Sequence, residues 1–237
     1  MNAAASDKTT ATAPMPPTAG SVSSSRMVAT MGAIGVACGI LIVLTFQLTL
    51  PRITSNKIAA LEKAIFEVVP GAEKKTTFKL DGDTLVPLEG EDEAAVKYYA
   101  CYGGDNRLVG VAMEASGQGF ADIIKVLYGY SPGKEAVVGI KVLESKETPG
   151  LGDKIEKDPN FIANFDSLDV RLNAGGTEMA NPIVLVKPGQ KTDMYQIESI
   201  TGATISSRAI TNILSASTAV TVPVITQNLQ ALENGAN

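Results

Sequence analysis

Two short stretches carry residue types that could do chemistry. The first is Glu198-Ser199-Ile200-Thr201-Gly202-Ala203-Thr204-Ile205-Ser206-Ser207. Ile205, Ile210, Ile213, Leu214 and Ser217 follow at three- to four-residue intervals, a spacing that predicts a helix with one buried face. Gly202 and Ala203 let the backbone bend and a ligand approach closely. Thr204, Ser206 and Ser207 place hydroxyls at the helix start, where free N–H groups point outward and where a phosphate is well received. Hydroxyls in such a place are commonly plain caps, and that reading stands beside the phosphate reading. The second stretch is Glu147-Thr148-Pro149-Gly150-Leu151-Gly152. Pro-Gly fixes a turn and two glycines expose backbone N–H groups, which by itself describes an ordinary turn. Ser116-Gly117-Gln118-Gly119-Phe120 is a weaker Gly-rich signal. Lys187 and Lys191 precede the Thr204 turn and could help to neutralise a phosphate, although a solvated lysine explains them as well.

The elements that must position these residues can be read along the chain. The 237 residues allow one modest domain plus extras. Residues 1–25 are rich in Ala, Ser, Thr and Pro and cannot bury enough surface to order themselves, so they read as a disordered tail. Residues 26–50 read as a transmembrane helix: no charge lies between Met27 and Leu50, and about 20 apolar residues cross a bilayer. A cleaved signal peptide competes, but the run is long for one and its leading tail is only weakly basic. Gly32, Gly35 and Gly39 could make a flat face toward another membrane helix. Residues 51–75 read as a connecting helix and linker, with Ile58, Leu61, Ile65 and Val68 or Val69 as its apolar stripe. Lys74 to Glu93 is charged and irregular, with Glu89, Glu91, Asp92 and Glu93 forming an acidic cluster, and reads as a solvated loop.

Residues 76–237 read as the soluble domain. Val96–Tyr102 with Leu108–Glu114, and Ile123–Tyr130 with Ala136–Leu143, predict two hairpins. Asp158–Phe165 predicts a short helix with Phe161, Ile162 and Phe165 inward, and Leu168–Leu172, Ile183–Lys187 and Tyr195–Ile200 are further strands. A helix from Thr204 to Val220 closes the domain. The fold class expected is α+β: a single N-terminal transmembrane helix, then a domain with a largely antiparallel sheet and flanking helices.

Composition excludes several functions. A formal net charge of −5 argues against an electrostatic grip on nucleic acid. There is no histidine, the commonest metal ligand and neutral-pH base. Cys38 and Cys101 are too few for a Cys-only zinc site or an iron–sulfur cluster, and one lies in the membrane span while the other lies beyond it. No Gly-x-Gly-x-x-Gly follows a strand, and the apolar span has no charged residue to carry ions.

The Thr201–Thr204 segment resembles the flavinylation motif of the RnfG/NqrC family of FMN-binding subunits, written Asp, two residues, then Ser/Thr-Gly-Ala-Thr/Ser. Here Glu198 stands at the usual aspartate and Thr201 at the usual serine. The Glu147–Gly152 stretch is similar letter for letter to a second segment of that family, and Ser116–Phe120 matches a Gly-rich, aromatic-ended one. The resemblance covers the membrane helix and roughly residues 96–220. It implies FMN joined by a phosphoester bond to Thr204, with Thr201, Gly202 and Ala203 beside it. It implies that Glu147, Thr148, Leu151 and Gly152 border the isoalloxazine or its ribityl chain, with Leu151 as a lid. No catalytic residue and no metal ligand is expected. The implied role is an electron-carrying subunit of the Rnf complex, a redox-driven ion-translocating oxidoreductase linking ferredoxin and NAD, with other membrane and peripheral subunits as partners. A flavin transferase would install the FMN. The charges flanking the span do not decide orientation; the resemblance implies a bacterial inner-membrane protein, single-pass, with its FMN domain periplasmic. The competing readings are an NqrC-like component of a sodium-pumping NADH:quinone reductase, a membrane-tethered binding domain without redox role, and a stand-alone flavoprotein reductase.

Overall fold

The computed structural model describes residues 23–88, 90 and 95–235. The expected tail up to Val22 and the acidic residues Glu89, Glu91, Asp92 and Glu93 lie outside the described residues, while Ser24 and Ser25 already belong to the first helix.

That helix, α1, spans Ser24–Val68 without a break and passes through Pro51. The chain divides into two compact units between Ser55 and Asn56. In the first, every described residue is exposed, including Ile40, Leu41, Ile42, Val43 and Leu44. Such a run leaves its apolar side chains without a protein partner, as a helix does whose surroundings are lipid. A Cβ on Gly32, Gly35 or Gly39 would meet nothing within 4 Å.

The second unit is built on a seven-stranded antiparallel sheet ordered β2-β1-β3-β4-β5-β6-β7. Its strands are β1 (Lys74–Asp81), β2 (Thr84–Pro87), β3 (Lys97–Tyr102), β4 (Leu108–Gln118), β5 (Ile123–Ser131), β6 (Ala136–Glu144) and β7 (Leu168–Asp169). The expected α+β architecture is the one observed, with both predicted hairpins in place as β3–β4 and β5–β6. Period-2 alternation gives the sheet two apolar faces. Tyr98, Ala100, Tyr102, Val111, Met113, Ile124, Val126, Tyr128 and Tyr130 point to one core. Tyr99, Cys101, Ala112 and Leu127 point to the other, where Ala64, Ile65 and Val68 of the last turns of α1 cover them. Residues expected as connecting helix and linker thus belong, from Asn56 on, to the folded unit.

Several expectations need correction. The stretch expected as a solvated loop from Lys74 forms the β1–β2 hairpin. Lys74–Asp81 has only Phe78 fully buried, too sparse a pattern to read as a strand, and the hairpin is held instead by its neighbours. Asn228 pins it from across the core: its Oδ1 accepts the Leu85 N–H at 3.0 Å and its Nδ2 donates to the Asp83 carbonyl at 3.0 Å. The helix expected from Thr204 to Val220 is α4, Thr204–Gln227; it continues through Pro223 and is followed by a short helix, α5, Leu229–Asn234. Asp158–Phe165 is not one helix. It is α3 (Pro159–Ile162) followed by a 3-10 turn (Ala163–Phe165), with Phe161 and Phe165 buried and Ile162 half-buried; a one-turn helix, α2 (Lys154–Lys157), precedes it. The strand candidates near Ile183 and Tyr195 are β8 (Val184–Val186) and β9 (Gln196–Glu198), which pair parallel in a separate ribbon.

Helix α4 lies on the first core face. Ile210, Ile213, Leu214, Val222 and Ile225 are buried there, and the Tyr128 hydroxyl reaches Ser217 Oγ at 2.7 Å and Thr221 Oγ1 at 2.9 Å. Although α4 is long and apolar enough to cross a membrane, more than half of its most apolar stretch is packed inside the domain, so it is a core helix. Both cysteines are free; Cys101 lies in the second core, and burial pushes its thiol up to about 12, far from reactive.

Candidate functional site

The two motifs meet. A cavity of 340 Å³ is lined by Phe120, Glu147, Thr148, Leu151, Gly152, Gly202, Ala203, Thr204, Ile205 and Ser206. That is within the size of small-molecule sites, roughly 300–1,000 Å³. Three segments build it: the turn after β4, the loop after β6, and the first turn of α4. Phe120, Leu151 and Ile205 are each more than half exposed and form an apolar rim. The helical spacing assigns Ile205 to the buried face; it turns to the cavity instead.

The turn into α4 owes its shape to Gly202, whose φ of +82° belongs to the left-handed region that favours glycine. The N-cap is Ala203, with no side chain to cap anything. The N–H groups of Thr204, Ile205 and Ser206 find no backbone acceptor among the described residues, the usual state of a helix start.

The hydroxyls of this turn have separate fates. Ser207 Oγ is consumed internally: it donates to the Ala203 carbonyl at 2.9 Å and accepts the Ile200 N–H at 3.1 Å. Ser206, 3% exposed, donates to Glu147 Oε2. Thr201 is exposed and lines a neighbouring polar groove of 580 Å³ with Lys154, Asn160, Asn164 and Lys191. Thr204 is exposed, lines the apolar-rimmed cavity, and its hydroxyl has no hydrogen-bond partner among the described residues. Thr204 is therefore no cap.

Glu147 holds the place that sequence reasoning left vague. It is 5% exposed. Its Oε1 accepts the N–H groups of Phe120 at 2.8 Å and Ala121 at 3.0 Å, while Oε2 accepts from Ser206. Two glycines make room for it: a Cβ on Gly119 would stand 2.5 Å from Glu147 Oε1, and one on Gly152 would overlap Oε2 and meet Ser206 Oγ at 2.9 Å. Glu198, at the motif's acidic position, is likewise occupied with backbone: its Oε1 accepts the N–H groups of Gly189 at 3.0 Å and Lys191 at 3.2 Å. The Lys191 ammonium rests on Asn164 Oδ1 at 3.2 Å in the polar groove, and neither Lys187 nor Lys191 lines the cavity of Thr204. No group of three or more His, Cys, Asp or Glu side chains that could hold a metal occurs among the described residues.

Residues 119–218, which contain both motifs, match the model of the FMN-binding domain. Behind an apolar N-terminal helix, that defines a class of helix-anchored FMN-binding-domain proteins. The chain is 30% identical over 173 residues to the G subunit of the ion-translocating oxidoreductase complex of Vibrio vulnificus, covering 72% of this chain and 76% of that one. It is 29% identical over 197 residues to the same subunit of Shewanella piezotolerans, covering 79% and 84%, and 27% identical over 191 residues to that of Methanosarcina acetivorans, covering 80% and 89%. The chain belongs to the RnfG family, the G subunits of ion-translocating oxidoreductase complexes. Its fold is also that of Shewanella oneidensis NqrC (TM-score 0.56, 17% identity, 77% of this chain and 98% of that one) and of the corresponding C subunit of the Na⁺-translocating NADH-quinone reductase of Parabacteroides distasonis (TM-score 0.56, 20% identity, 75% and 98%).

Proposed function

We propose that this chain is the membrane-anchored, FMN-carrying electron-transfer subunit of an Rnf-type ion-translocating oxidoreductase complex, with the FMN phosphate esterified to Thr204. The observation that carries the reading is the free hydroxyl of Thr204 at the first position of α4, in a cavity whose rim is apolar. The residues fit FMN. Thr204 would hold the phosphate, and the unpaired N–H groups of the α4 start would receive the remaining negative charge of the phosphodiester. Phe120, Leu151 and Ile205 would cover the apolar faces of the ring, Thr148, Gly152 and Ala203 would border it, and Gly202, whose Cβ position is open, leaves room for close backbone approach. Bound there, FMN supplies one- and two-electron transfer. The chain's own part is to hold the group at one place and to keep it from dissociating; a tether gives an effective concentration no free ligand matches.

Thr204 has no general base beside it: the nearest carboxylate in the cavity, Glu147, is engaged by Ser206 and two backbone N–H groups. We therefore assign formation of the ester to a separate flavin transferase. Electrons arrive from and leave to other subunits, because the sequence offers no nicotinamide motif or iron–sulfur ligand set of its own. Ferredoxin and NAD are the couples at the two ends of the complex, residues 26–50 are the single anchor in the lipid, and the flavin domain stands on the periplasmic face. The 30% identity to a G subunit of the ion-translocating complex favours Rnf over the NqrC reading, whose structural likeness at 17–20% identity reports the fold alone.

The test is denaturing electrophoresis of the chain coexpressed with a flavin transferase. The wild-type band should fluoresce as flavin and Thr204→Val should be dark at equal protein. A dark wild-type band, or a fluorescent Thr204→Val band, would overturn the assignment.

A further inference from the structure

We infer that Glu147 is the positioning residue of the flavin site: its buried carboxylate ties the Phe120 turn, its own loop and the first turn of α4 into one frame, and leaves a fixed negative charge on the wall of the cavity. The inference deepens the FMN reading and rests on it.

The geometry is specific. The three segments that line the cavity are far apart in sequence, and one side chain touches all of them. Oε1 takes two adjacent N–H groups, of Phe120 and Ala121, and Oε2 takes the hydroxyl of Ser206, two residues beyond Thr204. Every partner is a donor, so the carboxylate serves only as an acceptor. Charge-assisted bonds of this kind are the strong ones, and in a buried place their loss leaves donors unsatisfied. Gly119 and Gly152 are the spaces the carboxylate occupies, so the two glycines of the motifs serve Glu147 before they serve any ligand. The other hydroxyl that the first turn of α4 brings to this cavity, Ser206, is held at 3% exposure in this bond, whereas Thr204 beside it is exposed.

The charge has its own consequence. Among the described residues no lysine or arginine lines the cavity, so no side-chain cation there offsets Glu147. A negative charge on the wall opposes electrons arriving in the bound ring, and holds its midpoint potential below the value it would have beside a neutral amide.

The experiment uses the full-length protein coexpressed with a limiting amount of flavin transferase, and compares wild type, Glu147→Ala and Glu147→Gln. Intact mass gives the modified fraction, a redox titration gives the midpoint potential, and thermal melts identify variants that fail to fold. Glu147→Ala should lower the rate of modification on the order of tenfold, since misplacing a reacting group by an ångström costs up to a hundredfold. Glu147→Gln retains an acceptor for Phe120 and Ala121, so it should recover most of that loss, yet its bound flavin should titrate at a more positive potential than the wild type's. A structural role alone would not move the potential of the Gln variant. If wild type is modified while Glu147→Ala is modified equally fast, or if Glu147→Gln titrates with the wild type, the inference fails and the FMN reading stands. If wild type carries no FMN on Thr204, it is the underlying reading that fails.

Discussion

The two faces of the sheet are both approached closely by a helix, and both approaches depend on glycine, but only one of them makes a site. On the α1 face, Gly129 and Gly139 are register partners on β5 and β6. A Cβ on Gly139 would stand 2.6 Å from the Val68 carbonyl oxygen, and one on Gly129 would overlap it. The last turn of a helix lies there directly on bare backbone, and the surrounding side chains, Ile65, Val69, Ala112 and Leu127, are buried and apolar. On the α4 face, glycine spaces at 117, 119 and 152 are filled by side chains instead: a Cβ on Gly117 would stand 2.6 Å from Ile213 Cγ1, and the other two would meet Glu147. That contact leaves a helix start open, with a free hydroxyl and an apolar rim. Close packing alone therefore does not mark function; a close approach whose space is filled by a committed carboxylate, beside donors still free, does.

Breaking the comparison begins with the α1 face. Gly129→Ala should cost about 3 kcal/mol or more of stability in urea unfolding, the upper end of overpacking costs, because the obstacle is backbone that cannot turn aside. Flavin attachment per folded molecule should not change, and its loss in folded material would mean that the faces are not independent. Ser207→Ala comes next. It strands the buried Ile200 N–H and should cost about 1–3 kcal/mol. Because Ser207 closes the turn that presents Thr204, this variant should slow attachment as well, which sharpens the contrast with Gly129→Ala.

Leu151→Ala should leave stability within about 0.5 kcal/mol, as for an exposed side chain away from any special feature. It should open the rim, measured as faster quenching of the attached flavin by iodide; unchanged quenching would remove Leu151 from the site. The smallest effect belongs to the exposed ion pairs on the α1 face, Lys57–Glu144 at 2.6 Å and Lys141–Glu67 at 2.9 Å. The hydrogen bond from Lys57 holds the Glu144 carboxyl below the usual range, and that from Lys141 does the same for Glu67. A depressed folded-state pKa gives stability that is present above the unfolded value and lost as pH falls through the folded one. Melts of Glu144→Gln and Glu67→Gln should therefore differ from wild type slightly at pH 7, by about 0.5 kcal/mol or less after solvent screening, and not at all once the pH is well below 4.

Much of this was legible in the sequence, for identifiable reasons. The β3–β4 and β5–β6 hairpins are apolar, β-rich runs joined by Gly103-Gly104-Asp105-Asn106 and Ser131-Pro132-Gly133-Lys134, so their positions followed from composition and turn residues. The α4 start was legible because Gly-Ala between hydroxyls admits few conformations. The β1–β2 hairpin was not, since Lys74–Asp81 buries one phenylalanine and relies on Asn228, more than a hundred residues away, to hold its turn. The expected helix stops at Val220, whereas α4 runs on through Pro223 and buries Val222 and Ile225. The role of Glu147 was hidden for a related reason. The resemblance placed Glu147 only beside the flavin, and only the fold brings Phe120, Ala121 and Ser206 to its carboxylate.

The claim on which the account depends is that one hydroxyl of this turn carries the flavin. The most direct measurement is peptide mass mapping of the chain extracted from membranes in which its partners and a flavin transferase are present. The account predicts an increment of FMN less one water on the peptide containing Thr204, with fragment ions placing it on Thr204 and leaving Thr201 and Ser206 bare. An unmodified Thr204 in flavin-replete cells, or the increment on either neighbouring hydroxyl, would contradict it.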